Sequence, residues 1–243
     1  MKLTASILVA QSVCGFLRHA QYGARQPFPF LGSRRRFGSV LHAAIAIYEK
    51  SGGRLEAGIR ALESFILPAA ELDEARGILA WRHGRERDPA RRPFLIEGAL
   101  HATIDDHRLE VRLDRLDRRE GEYLLAEYKT GREVDPETVR AQLMVLSYAI
   151  ARSLGKAPSE WELELLGARR VLRPAAERNP ERLEAFVAGL ARAVARDDRE
   201  PEPRDPAFCR RCPARSYCPR ATPHPRPLRD ASPAGQAAQL KLF

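Results

Sequence analysis

Two alternating runs, "LEVRLDRLD" at 109–117 and "YLLAEYKTG" at 123–131, flank the polar connection "RREGE". Residues two apart on a strand share a face, so Glu127 and Lys129 point the same way. A short polar connection containing Gly lets two such runs fold back as an antiparallel hairpin. A turn centred near Glu120–Gly121 sets Asp114 opposite Glu127, whereas a slip of one residue would send them to opposite faces. This pair of runs constrains the fold more than any other feature of the chain.

The surrounding pattern supplies layers for it. "FLIEGAL" (94–100) and "HATIDD" (101–106) are further strand-like runs with turn residues between them. Helical periodicity covers "RFGSVLHAAIAIYEKSGG" (36–53), stopped by its Gly pair, and 55–81 with a break near Pro68. Residues 1–30 read as a short helix carrying Cys14 followed by a Pro-rich connection, and 82–93, "RHGRERDPARRP", as a basic loop. "DPETVRAQLMVLSYAIARSLG" is an amphipathic helix with Asp-Pro at its start and Gly155 after its end. "WELELLGARRVL" returns to strand and 179–197 is a last helix. Helix, three strands, helix, strand is an α/β layer pattern.

With 243 residues, 44% hydrophobic and 30% charged, the chain can bury a sizeable core as an ordinary globule. A net charge of +9 suits an anionic partner such as nucleic acid, although an arginine-rich composition alone gives the same value. No apolar run approaches the ~20 residues of a membrane span. Gln11 and Ser12 interrupt the apolar start, and Val13 does not fit a leader's cleavage site, so a cytoplasmic location is expected.

Two facing carboxylates repel unless a cation lies between them, and oxygen ligands suit Mg²⁺ or Mn²⁺. A nearby lysine can orient or help deprotonate an attacking water. Spacing alone equally allows a cross-strand salt bridge among exposed residues.

The residues "RLDRLD…YLLAEYKTGR" resemble the signature of PD-(D/E)xK nucleases of the RecB type, over about residues 4–220. The resemblance implies a restriction-endonuclease-like mixed β-sheet core flanked by helices, with a helical insertion and basic loop at 43–93. It makes Asp114 and Glu127 metal ligands, Lys129 the catalytic lysine, and the Tyr128 carbonyl a further metal contact. "FGSVLH" resembles the family's G-x-x-x-H helix and assigns His42 to the metal site, and "FLIEG" supplies Glu97 as a supporting acid. "QLMVLSY" resembles the Q-x-x-x-Y helix and places Gln142 beside the active site. Two positions depart from the pattern: Val111 stands for the usual Gly, and Leu146 for the Tyr that helps position nucleic acid.

"CRRCPARSYC" spaces Cys209, Cys212 and Cys218 as thiolates that can wrap a soft metal centre, with Cys14 the only thiol left to complete it. One N-terminal and three C-terminal cysteines resemble the layout of iron–sulfur nucleases of the AddB type and of the CRISPR-adaptation nuclease. That resemblance implies a [4Fe–4S] cluster stapling the two ends of residues 1–220; zinc and unligated or disulfide-bonded cysteines are the alternatives. Residues 221–243 read as a flexible tail ending in "QLKLF". This resembles the pentapeptide that binds the bacterial sliding clamp, with Gln239 at the pocket rim and Leu240, Leu242 and Phe243 in apolar pockets.

Together these readings describe a metal-dependent DNA nuclease, an exonuclease of repair or recombination, acting on single strands or duplex ends with a clamp and a helicase as partners. Arg34, Arg35, Arg36 and the 82–92 loop are candidates for backbone contacts. The alternatives are a CRISPR-adaptation nuclease and a non-catalytic DNA-binding or clamp-associated accessory protein that keeps the fold.

Overall fold

The computed structural model describes residues 2–26, 32–85, 88–197, 209 and 212–228, with the backbone alone for 32–35. The "QLKLF" pentapeptide and the side chains of Arg34 and Arg35 lie outside the described residues.

The architecture is a mixed sheet between two helical layers. The strands are β1 (Lys2–Thr4), β2 (Arg92–Ile104), β3 (His107–Arg119), β4 (Glu122–Lys129), β5 (Glu160–Leu165) and β6 (Arg170–Leu172). β2 and β3 form one long antiparallel hairpin turning at Asp105, so the two short runs at 94–106 are a single strand. The β3–β4 turn falls on Glu120 and Gly121, both with positive φ (50° and 83°), as a right-twisted two-residue hairpin requires. β4 pairs in parallel with β5, and β5 antiparallel with β6, so the run at 161–172 is two strands rather than one.

β3 has three partners, and this creates a fork. β2 occupies one edge along nearly its whole length. The other edge takes β1, in parallel, at Arg108–Glu110, and β4 at Arg115–Arg119. Between them β3 has no strand neighbour on that edge, and beyond Ala126 β4 pairs with β5 alone. Asp114 and Glu127 sit at this opening. β1 itself carries no alternation long enough to be read from sequence.

Helices α1 (Ala5–Val13), α2 (Gly15–Arg18), α3 (Gly32–Lys50), α4 (Leu55–Glu63), α5 (Ala69–His83), α6 (Pro136–Leu154) and α7 (Pro180–Asp197) complete the layers. Cys14 is the extended residue between α1 and α2, and a single π-helical turn, His19–Gly23, follows. α6 begins at an Asp135 cap accepting from the Thr138 amide, and its end passes into left-handed Gly155. Its Leu143, Val145, Leu146 and Ile150 join Leu8 of α1, Val187 of α7 and the Leu113, Leu116 and Leu125 side of the sheet in the main core. Leu146 is therefore a core residue, and Tyr148 turns away to donate to the Thr103 carbonyl at 2.7 Å.

On the other face, α3, α4 and α5 pack on Leu124, Ala126 and Tyr128, and beside that apolar cluster lies a buried ionic lattice. Arg82 is inside α5 rather than in a loop, and pairs with Glu164 and Glu49. Arg85 and Arg91 reach Glu164, Glu162 and Asp117, and Arg115 joins Glu49 to Asp117. The basic stretch expected to face nucleic acid thus spends these arginines on acids of the sheet and of α3, while Arg36 is exposed and donates to the Ile66 carbonyl. Burial raises the Glu164 pKa, but Arg82 and Arg85 outweigh it and hold the carboxyl below its ordinary 4.5. A depressed folded value contributes stability that is complete above 4.5 and is lost as pH falls through the folded value. Glu164→Gln is expected to cost about 3 kcal/mol at neutral pH and to flatten the acid limb, as thermal midpoints between neutral and acidic pH will show.

Candidate active site

The fork brings six side chains together. His42 comes from the sheet-facing side of α3, Glu97 from β2, Asp114 from β3, Glu127 and Lys129 from β4, and Gln142 from α6. Once β4 leaves β3, the Asp114 amide lacks a strand partner and donates to the Glu127 carboxylate (3.3 Å), while the Tyr128 amide donates to Asp114 Oδ2 (2.8 Å). The two strands are thus laced at their divergence by the very carboxylates that sequence singled out.

His42 Nδ1 lies 2.9 Å from Asp114 Oδ1 and 3.8 Å from Glu97 Oε1. His42, Glu97 and Asp114 offer three ligand atoms within 4.8 Å of one another, the one such group among the described residues. One nitrogen and two oxygens suit a divalent ion of borderline hardness. Sequence gave Glu97 only a supporting place, yet it is a full member of this group. Its φ of 51° inside a strand is a conformation that a non-Gly residue adopts at a cost of about 1–3 kcal/mol.

Glu127 stands behind Asp114. Gln142 Nε2 donates to Glu127 Oε2 (2.7 Å), and Lys129 Nζ donates to Gln142 Oε1 (2.6 Å). Lys129 is 4.0 Å from Glu127 Oε2, so the amide of Gln142 spans carboxylate and amine and fixes both. Burial and the neighbouring Asp114 carboxylate push the Glu127 pKa well up. Burial would raise Asp114 as well, but His42 and the Tyr128 amide hold it low. Burial lowers His42, and Asp114 and Glu97 more than offset that, so its pKa is raised. A divalent ion held by these residues would compete with protons for the imidazole and the carboxylates.

The segment after Lys129 is tightly held. A Cβ on Gly167 would lie 2.6 Å from the Thr130 carbonyl oxygen and 3.3 Å from Gly131. No sequence signal marked Gly167, because the constraint is a close approach of two backbones distant in the chain.

A second cluster lies away from the fork. Cys14, Cys209, Cys212 and Cys218 line one cavity of about 20 Å³ with Phe16 and Leu17. All four are free thiols, and burial pushes the Cys212 pKa up, with Cys14 and Cys218 adding to the rise. A Cβ at Gly15 would collide with the Asp197 carboxylate, which also accepts from Gln11 Nε2 (2.6 Å). Gly15 thus lets the start of α2 close against the Asp197 side chain of α7 beside the cysteines.

No helix of the described residues is long and apolar enough to cross a membrane. No curated protein matches the sequence. Among solved structures, one titled "Crystal structure of SSO0001" is 16% identical with a TM-score of 0.42, covering 76% of this chain and 85% of that one. The family model for the PD-(D/E)XK nuclease superfamily matches residues 2–219. Its members are in general nucleases that hydrolyse phosphodiester bonds and use divalent metals such as Mg²⁺ or Mn²⁺. With a possible metal site at the fork of a mixed sheet and a match over most of its length, the chain belongs to the PD-(D/E)XK nuclease superfamily.

Proposed function

We propose that the protein is a metal-dependent DNA exonuclease of repair or recombination. The observation that carries this reading is the convergence of His42, Glu97 and Asp114 within 4.8 Å of one another, beside the Glu127–Gln142–Lys129 chain. His42, Glu97 and Asp114, with Glu127 and the Tyr128 carbonyl, would hold the ion, and a histidine nitrogen among the ligands favours Mn²⁺ over Mg²⁺. When bound, the ion supplies Lewis-acid stabilisation of the charge developing on the phosphate. Lys129, aimed by Gln142, orients a water for in-line attack and assists loss of its proton. Gly167→Ala would shift the Thr130–Gly131 backbone, and a displacement of about 1 Å next to Lys129 is expected to lower turnover about 10²-fold.

We read the four cysteines as ligands of a [4Fe–4S] cluster. Four thiols lining one shared cavity, drawn from both ends of residues 1–220, suit a multinuclear cluster held by thiolates. In this reading the cluster is structural.

The "QLKLF" end would dock on the bacterial sliding clamp, and a helicase would feed strands to a cytoplasmic nuclease. The burial of Leu146 where the family pattern has a tyrosine favours the second reading, a non-catalytic accessory protein. The test is anaerobic digestion, with Mn²⁺, of end-labelled linear DNA, single- and double-stranded, beside closed circular DNA. Loss of label from linear DNA with circles intact supports the exonuclease; cleaved circles replace it with an endonuclease. Intact DNA throughout favours the accessory protein.

A further inference from the structure

Tyr128 enters the family signature through its backbone, but its side chain also ties His42 to Arg82 beside the site. It is 3% exposed and points to the face opposite Glu127 and Lys129, so it cannot reach a phosphate. Its amide holds Asp114 Oδ2 at 2.8 Å, and its ring meets the His42 ring edge-on with centroids 5.9 Å apart. Its hydroxyl accepts from Arg82 Nη2 at 2.7 Å, with the guanidinium carbon 4.5 Å from the ring centroid.

Arg82 is itself fixed. Glu164 takes two of its donors, at 2.8 and 3.1 Å, and Glu49 a third. Glu164 lies beside Tyr128 in the β4–β5 register, so carboxylate, guanidinium and phenol form a closed clamp on one rung of the sheet. A bidentate arginine holds direction as well as distance. We propose that Arg82 and the Tyr128 side chain are positioning residues, which set His42 and Asp114 at the separation a divalent cation requires. The proposal rests on the metal-centre reading above. Sub-ångström placement of ligands by the groups behind them is worth about 10–100-fold in metal affinity.

A buried ionic lattice can also be mere scaffolding, and the test separates the two. Tyr128→Phe keeps the ring against His42 and removes only the hydroxyl. Glu162→Gln disturbs the same lattice at Arg85, Arg91 and Arg173, without touching Tyr128 or Arg82. Mn²⁺ binding to each full-length protein is titrated by the electron paramagnetic resonance of free Mn²⁺, with thermal midpoints in chelator alongside. Tyr128→Phe is expected to weaken Mn²⁺ binding about tenfold, with a midpoint no lower than that of Glu162→Gln, whose affinity stays at the wild-type value. Wild-type affinity in Tyr128→Phe, or an equal loss in Glu162→Gln, overturns the clamp and leaves the metal centre standing. A wild-type protein that takes up no Mn²⁺ overturns the metal-centre reading, and the clamp with it.

Discussion

Lys129→Ala is expected to lower DNA cleavage about 10³-fold while leaving Mn²⁺ affinity within a few-fold of wild type. Lys129 is not one of the three groups that converge within 4.8 Å; it approaches the site through the Gln142 amide. In the proposed mechanism its removal spares the metal ligands and takes away the cation that would orient the attacking water. Asp114→Asn differs, because Asp114 touches His42, the Tyr128 amide and, through its own amide, Glu127. That variant should lose both metal affinity and cleavage. Single-turnover rates at saturating Mn²⁺, beside a Mn²⁺ titration, distinguish the two patterns. Equal loss of metal binding in both variants would place Lys129 in the metal site rather than beside it.

Replacing Cys14 with Ser is expected to have the largest effect on stability. Cys14 lines one cavity with the three C-terminal thiols, and in the proposed cluster it would tie α1 and α2 to them, closing a loop of almost two hundred residues. In the chain-entropy picture a cross-link of that span is worth about 5 kcal/mol. α1 also packs on α6 and α7 through Leu8 and the buried Gln11–Asp197 hydrogen bond, so its release opens the main core and leaves Asp197 short of a donor. Anaerobic thermal melts and limited proteolysis of wild type and Cys14→Ser measure the effect. A large fall in midpoint with loss of visible absorbance is the expected result; an unchanged midpoint would show that the cysteines are not a staple.

The hairpin at 107–129 was legible because its signals are local: alternation, a Glu-Gly turn, and charges at fixed offsets. Asp114 opposite Glu127 follows from that turn alone. What stayed hidden depends on contacts between distant segments. β1 is too short to show a period, the constraint on Gly167 comes from a strand-end encounter with Thr130, and Glu97 reaches the site only through a left-handed residue inside β2. Arg82 reads as one more arginine in a basic run, since nothing local says that Glu49 and Glu164 wait beneath it. Sequence thus singled out the residues that gather at the fork more readily than those that hold them in place.

The most direct test is cleavage of an end-labelled oligonucleotide across a Mn²⁺ titration, with wild type and Asp114→Asn side by side under anaerobic conditions. Cleavage that appears only with Mn²⁺ and is lost in Asp114→Asn is the result expected of a metal centre at the β3–β4 fork. Cleavage that persists without metal, or survives in Asp114→Asn, would contradict it.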